Sequence, residues 1–118
     1  MAYDVRAMLK DFTCGFKYLG ENDPECMKAF MGLLDASYKE DALDVKTKEL
    51  ISIGIACYNR CEYCIVYHCY NAFKAGASKK EILEAAMVSV AFGGGPSMAY
   101  SITLLKECME EFAKDFAK

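Results

Sequence analysis

Apolar residues in this 118-residue chain recur at spacings of three and four, not two, and almost nothing interrupts them. Proline, which a helix interior does not tolerate, appears only twice, at Pro24 and Pro96. A period of 3.6 gathers apolar side chains on one side of a helix but scatters them over both faces of a strand. The sequence therefore predicts an all-α fold, about five to six helices in a single domain spanning residues 1–118.

Punctuation divides the chain into those helices. Val5, Met8, Leu9, Phe12 and Phe16 make one apolar stripe that ends near Gly20. Asp23-Pro24-Glu25 has the form of an N-cap, a proline at the first helical position and an acid in the first turn, opening a helix to about Tyr38. A third helix starts after Asp44 and is apolar on nearly all sides past Glu49, which predicts a central, buried position. Asn59-Arg60 is a polar break, and the set Cys61, Cys64, Ile65, His68, Ala72 and Ala75 runs to a C-capping Gly76. Ser78 to Glu81 reads as a capping box ahead of a helix whose inward face is Ile82, Leu83, Ala86, Met87 and Val90. Gly93-Gly94-Gly95-Pro96 breaks the chain where two helices come close together; it has no Lys-Ser/Thr after it and so is no phosphate loop. The last helix carries a narrow seam of Met98, Ile102, Leu105, Met109, Phe112 and Phe116. So many apolar seams on one short chain predict that one of them is buried against another subunit, giving a homo-oligomer.

Composition narrows the function classes. A net charge of −3, with 14 basic residues spread along the chain, offers no basic stripe for phosphates and excludes nucleic acid as a partner. The N-terminal segment is charged where a secretory signal needs an apolar run, and no stretch approaches a membrane span, so the expected location is cytoplasmic, with no membrane association. Seven cysteines is a high but odd number for a chain that is 54% apolar and needs no disulfide framework, so most are expected to be reduced thiols. Cys14, Cys26, Cys57, Cys69 and Cys108 read as small core or interface hydrophobes. Cys57, one turn before Cys61, is the one that could join a disulfide relay.

The chemistry concentrates in one constellation. Cys61-Glu62-Tyr63-Cys64 sets two thiols one helical turn apart, within reach of a disulfide after modest adjustment. A helix N-terminus favours negative charge, so its field alone makes Cys61 the better thiolate. His68, the only histidine, lies four residues after Cys64 and shares its face. Its ordinary pKa of about 6.5 suits taking a proton from sulfur and returning it to a leaving oxygen. Glu49, twelve positions before Cys61, is a carboxylate able to orient His68 or hold a proton; taken alone, it reads as a first-turn acid opposing the helix dipole. The same four residues could instead fill a tetrahedral zinc site, although structural zinc usually draws on two separated ligand pairs.

Glu49, eleven intervening residues, then Cys61-x-x-Cys64-x-x-x-His68 resembles the active-site signature of AhpD-like proteins, the alkylhydroperoxidase branch of the carboxymuconolactone decarboxylase family. Lys48-Glu49-Leu50, Ala75-Gly76-Ala77 and the Gly93 to Pro96 joint also resemble that family, and the likeness by motif covers about residues 40–105. The resemblance implies an AhpD-like helical bundle, a trimer or hexamer, and reduction of hydroperoxides; no bound cofactor or metal is expected for that chemistry. It assigns peroxide attack to Cys64, resolution to Cys61, proton relay to His68 and Glu49, and re-reduction to a thiol or dithiol protein. One departure is Tyr63, which stands where peroxidase members carry a second histidine, so proton delivery falls to a single imidazole. The alternatives are a protein or small-molecule disulfide reductase using the same pair, and a non-enzymatic redox or metal-binding module.

Overall fold

Side-chain caps decide where the helices begin. In the computed structural model, which describes residues 3–117, Asp4 accepts from the Ala7 amide at 3.0 Å and opens α1 (Val5–Asn22). Asp23 ends that helix through its own amide and starts α2 (Pro24–Tyr38) through its carboxylate, which accepts from the Cys26 amide at 3.2 Å. Asp44 caps α3 (Val45–Asn59), accepting from the Thr47 amide at 2.8 Å. Arg60, in the left-handed region at φ 56°, closes α3 and turns the chain so that Cys61 caps α4 (Glu62–Lys74). Ser78 and Glu81 form the full reciprocal box ahead of α5 (Lys79–Gly93). The predicted starts at Asp23, Asp44, Cys61 and Ser78 are thus all present and capped by those side chains, whereas the last helix begins at Gly95 with no side-chain cap.

The last helix is continuous but not uniform. It runs as α6 (Gly95–Tyr100), a π-helical stretch (Ser101–Leu105) and α7 (Lys106–Phe112), followed by a short 3-10 turn at Ala113–Asp115. Counted as one, it is the sixth helix among the described residues. Ser101 donates to the Ser97 carbonyl at 2.8 Å and Thr103 to the Ala99 carbonyl at 2.7 Å, side-chain bonds that compete for carbonyls of the i−4 ladder where the helix widens. The wider turn shifts the seam. Leu104, Leu105, Cys108, Met109 and Phe112 point inward, while Ile102, expected on the seam, is exposed. A strict 3.6 period fails there because it cannot anticipate a π turn.

Buried residues of α3, α4, α5 and the last helix form a single core, with Ile53, Ile65, Val66, Ile82, Leu104 and Phe112 wholly buried. Each such side chain contributes roughly 1.5–3 kcal/mol by leaving water. The α1/α2 hairpin lies outside this core: α1 rests on α4 and inserts Val5, whereas α2 buries no residue. Arg6 fastens α1 to the last helix through Glu111 at 2.9 Å and a two-pronged contact with Asp115 at 2.8 and 3.0 Å. At the Gly93 joint, a Cβ would collide with the Ser97 side chain and crowd the Tyr58 ring at 3.1 Å, the close approach the glycines were expected to permit.

The third helix corrects its expectation in part. It is central, packing on both α4 and α5, yet one side is open: Ile51, Ile55 and Tyr58 are about half exposed. With Val88 and Phe92 of α5 they border a groove of about 530 Å³ whose walls are almost wholly apolar. Cys57, Cys69 and Cys108 are buried as expected of core thiols, while Cys14 and Cys26 are exposed on α1 and α2. No described helix is long and apolar enough to cross a membrane.

Candidate active site

Cys61 sits at the N-cap of α4, the position the sequence assigned it. Its sulfur accepts from the Cys64 amide at 3.4 Å and so takes the role an Asp or Ser side-chain oxygen plays at other helix starts. The α4 turn brings the two Cα atoms to 5.2 Å, and Cys61 and Cys64 are joined as a disulfide. Both are partly buried, but their surroundings differ: Cys64 lines a cavity of about 400 Å³ between the α1/α2 hairpin and the α3/α4 pair, whereas Cys61 is not among its lining residues.

One turn further along α4, His68 enters the same cavity and meets Glu49 from α3. Its Nδ1 lies 2.8 Å from Glu49 Oε1, and the two side chains are 16% and 8% exposed. An ionised carboxylate only accepts, so Nδ1 carries the proton and a neutral imidazole keeps the lone pair of Nε2 free. Glu49 is not a first-turn acid. It lies in the second turn of α3, buried, where a carboxylate needs a partner, and His68 is that partner. The structure brings Glu49, Cys64 and His68 together around one cavity, with Cys61 bonded to it through Cys64.

Tyr38, Ser52 and Tyr67 adjoin the site although nothing in the sequence marked them for it. Tyr38, the last residue of α2, stacks on the His68 ring with centroids 5.7 Å apart and planes 14° from parallel. Its hydroxyl is bonded to Ser52 of α3, which in turn donates to the Lys48 carbonyl at 2.8 Å. Burial pushes the Tyr38 phenol above its usual pKa, reinforced by the charge on Glu49. Tyr67 meets the His68 ring edge-on, centroids 5.2 Å apart. Phe12, Phe16 and Phe30 from the hairpin complete an aromatic wall. Tyr38 lies eleven positions before Glu49, on another helix, and only tertiary packing makes it a neighbour. Tyr63, in contrast, stacks on Phe12 with centroids 6.1 Å apart and is not part of the cavity lining.

Cys57 lies in the core, where burial pushes its thiol up against a weaker opposing bond from Ser101. Cys69, beside Cys108, is raised further by burial. Such thiols stay protonated and poorly nucleophilic. Among the described residues, no group of three or more His, Cys, Asp or Glu side chains converges closely enough to hold a metal ion.

A six-helix bundle carrying a CxxC disulfide at a helix start, with a buried Glu and His couple one turn on, defines a class of helical dithiol proteins. The chain belongs to the carboxymuconolactone decarboxylase family, whose model matches residues 24–107. That match takes in α2, beyond the region the motifs covered. A solved structure of a carboxymuconolactone decarboxylase family protein from Legionella pneumophila is similar at 38% identity and a TM-score of 0.87, covering 92% of this chain and 96% of that one. A Thermotoga maritima member, described with a suggested part in the antioxidative response, is 28% identical with a TM-score of 0.74 over 92% and 96% of the two chains. A Cupriavidus necator protein without an assigned function is 29% identical over 101 residues, 86% of this chain and 89% of its own.

Proposed function

We propose that this protein is an AhpD-type thiol peroxidase: a hydroperoxide reductase in which Cys64 attacks, Cys61 resolves, His68 carries the proton and Glu49 holds His68. The observation that carries the reading is that Cys64 and the Glu49–His68 couple line one cavity while Cys61, already bonded to Cys64, is not part of its lining. His68 Nε2 takes the Cys64 proton, and the Cys64 thiolate attacks the distal peroxide oxygen. The O–O bond breaks, sulfur becomes a sulfenic acid, and the alkoxide leaves as an alcohol with the proton from His68. The Cys61 thiolate then attacks Cys64 Sγ, releasing water and forming the disulfide. An external thiol or dithiol protein returns two electrons and two protons to the pair.

The helix field and the cavity support complementary roles for the two cysteines. A thiolate at the N-cap is stabilised by the helix start, which suits Cys61 as the resolving thiol and, during re-reduction, as a leaving group. Cys64 has the access a substrate needs. The disulfide reductase alternative shares the pair, but a cavity walled by helices and aromatic rings favours a small molecule over an extended protein segment. The Thermotoga relative's suggested antioxidative part agrees with the peroxidase reading.

Mass spectrometry of reduced, metal-free protein mixed with one equivalent of an organic hydroperoxide tests the proposal. Rapid and selective formation of the Cys61–Cys64 disulfide is expected, slowed by about 100-fold or more in His68→Ala, the range a positioned acid–base group supplies. Slow oxidation scattered over all seven cysteines would refute it.

A further inference from the structure

Helix α2 buries none of its residues, yet its final residue reaches into the site. The Tyr38 ring lies against the imidazole in a near-parallel, offset stack, and Tyr67 meets that imidazole edge-on. The far end of Tyr38 is fixed as well. Ser52 has a single hydroxyl hydrogen, and it is given to the Lys48 carbonyl, so Tyr38 must donate to Ser52. A second tie, from Lys48 Nζ to the Lys39 carbonyl, holds the same end of α2 against the start of α3.

The Glu49 bond fixes one atom of the imidazole but leaves the ring free to tilt about the Nδ1 to Oε1 line. A ring stacked on its face removes that freedom, and the face of a phenol also favours the imidazolium that forms when the Cys64 proton is taken. Proton transfer needs donor and acceptor about 2.6–3.2 Å apart, so the tilt of the ring governs whether Nε2 serves the sulfur.

We propose that Tyr38 is a positioning residue of this site: stacked on His68 and anchored on Ser52, it sets the plane in which the imidazole meets Glu49 and faces Cys64. This rests on His68 being the proton carrier. It gives α2, otherwise peripheral, a part in the chemistry.

The test uses the reduced 118-residue protein and no peroxide, so failure of peroxide reduction and failure of this proposal are separable. Because His68 is the only histidine, the proton on its Nδ1 gives a single imidazole signal in NMR, and its exchange with water reports how well the ring is held. Alkylation of Cys64 by iodoacetamide near neutral pH reports the base. In Tyr38→Leu the Nδ1 proton is expected to exchange about tenfold faster and Cys64 to alkylate roughly three- to tenfold more slowly, the range one aromatic stack supports. Tyr38→Phe, which keeps the ring, restores most of both, a rescue that mere packing by α2 would not require. Ser52→Ala, which unties the ring without removing it, falls between wild type and Tyr38→Leu. Wild-type values of both readouts in folded Tyr38→Leu would overturn the proposal. If that variant does not fold, wild-type Nδ1 exchange in Ser52→Ala would overturn the proposal, and faster exchange there would sustain it.

Discussion

Glu49 and His68 are tied by a requirement that each imposes on the other. A carboxylate as buried as Glu49 is costly without a partner, and among the described residues its side chain is hydrogen-bonded to His68 alone. Replacing His68 by Ala therefore removes the base and also strands a buried charge. His68→Ala is expected to lower the melting temperature, by about 1–3 kcal/mol of stability, as well as the rate. Adding Glu49→Gln, which removes the charge, should recover much of that stability without recovering the rate. Thermal unfolding of the two variants and the double variant measures the coupling. A double variant no more stable than His68→Ala would mean that Glu49 is adequately solvated on its own. Either way, catalytic losses in His68→Ala must be read at a temperature where the variant is folded.

Between elements, the weakest join is the one that matters for the cavity. The hairpin of α1 and α2 forms one wall of the site but contributes only Val5 to the buried core, and Arg6 is its principal charged fastening to the last helix. Hydrogen bonds from Arg6 hold the Glu111 and Asp115 carboxyls below their usual pKa values, and Arg6 itself is held further above its own. Carboxyls depressed in the folded state contribute stability that is present above their unfolded values, about 4, and is lost as the pH falls through the lower folded values. The pairs are partly exposed, so their effect is modest and screened by salt. On acidification from pH 5 towards pH 3, hydrogen exchange of α1 amides should quicken before that of α4 amides. Arg6→Ala should show the faster α1 exchange already at pH 7 and little further change with acid. Equal pH dependence in wild type and Arg6→Ala would remove Arg6 from the account.

At the scale of the whole molecule, the open side of α3 and α5 presents more apolar surface than a monomer usually leaves wet. Phe92 is 80% exposed, Val88 62% and Ile55 57%, all bordering one groove. We propose that another copy of this chain covers that face, in line with the homo-oligomer expected from the surplus of apolar seams. The groove and the Cys64 cavity share no lining residue, so the face can be altered without touching the site. Ile55→Glu is expected to reduce the mass measured by light scattering to that of a smaller species while leaving the helical circular dichroism intact. An unchanged mass would sink the proposal.

The sequence by itself determined the helices, their caps and the dithiol. Asp23, Asp44 and Ser78 mark helix starts because a short oxygen-bearing side chain reaches amides two or three residues on, a local matter the chain order settles. The spacing of Cys61, Cys64 and His68 was equally legible, because one helix fixes their common face. What lies across helices was not legible from local pattern. The meeting of Glu49 with His68 was suggested by resemblance, but its distance and burial come from α3 packing on α4. Tyr38, Ser52 and the aromatic wall gave no warning, since no periodicity records which helix end arrives beside which ring. Ile102 turned outward because a π turn inserted a register shift, and Ile51 and Ile55 stayed exposed because apolarity says that a side chain seeks cover without saying what supplies it. Local hydrogen bonds and periodicity are written along the chain, whereas the plane of an imidazole is set by three helices packed around it, and only the tertiary structure decides that.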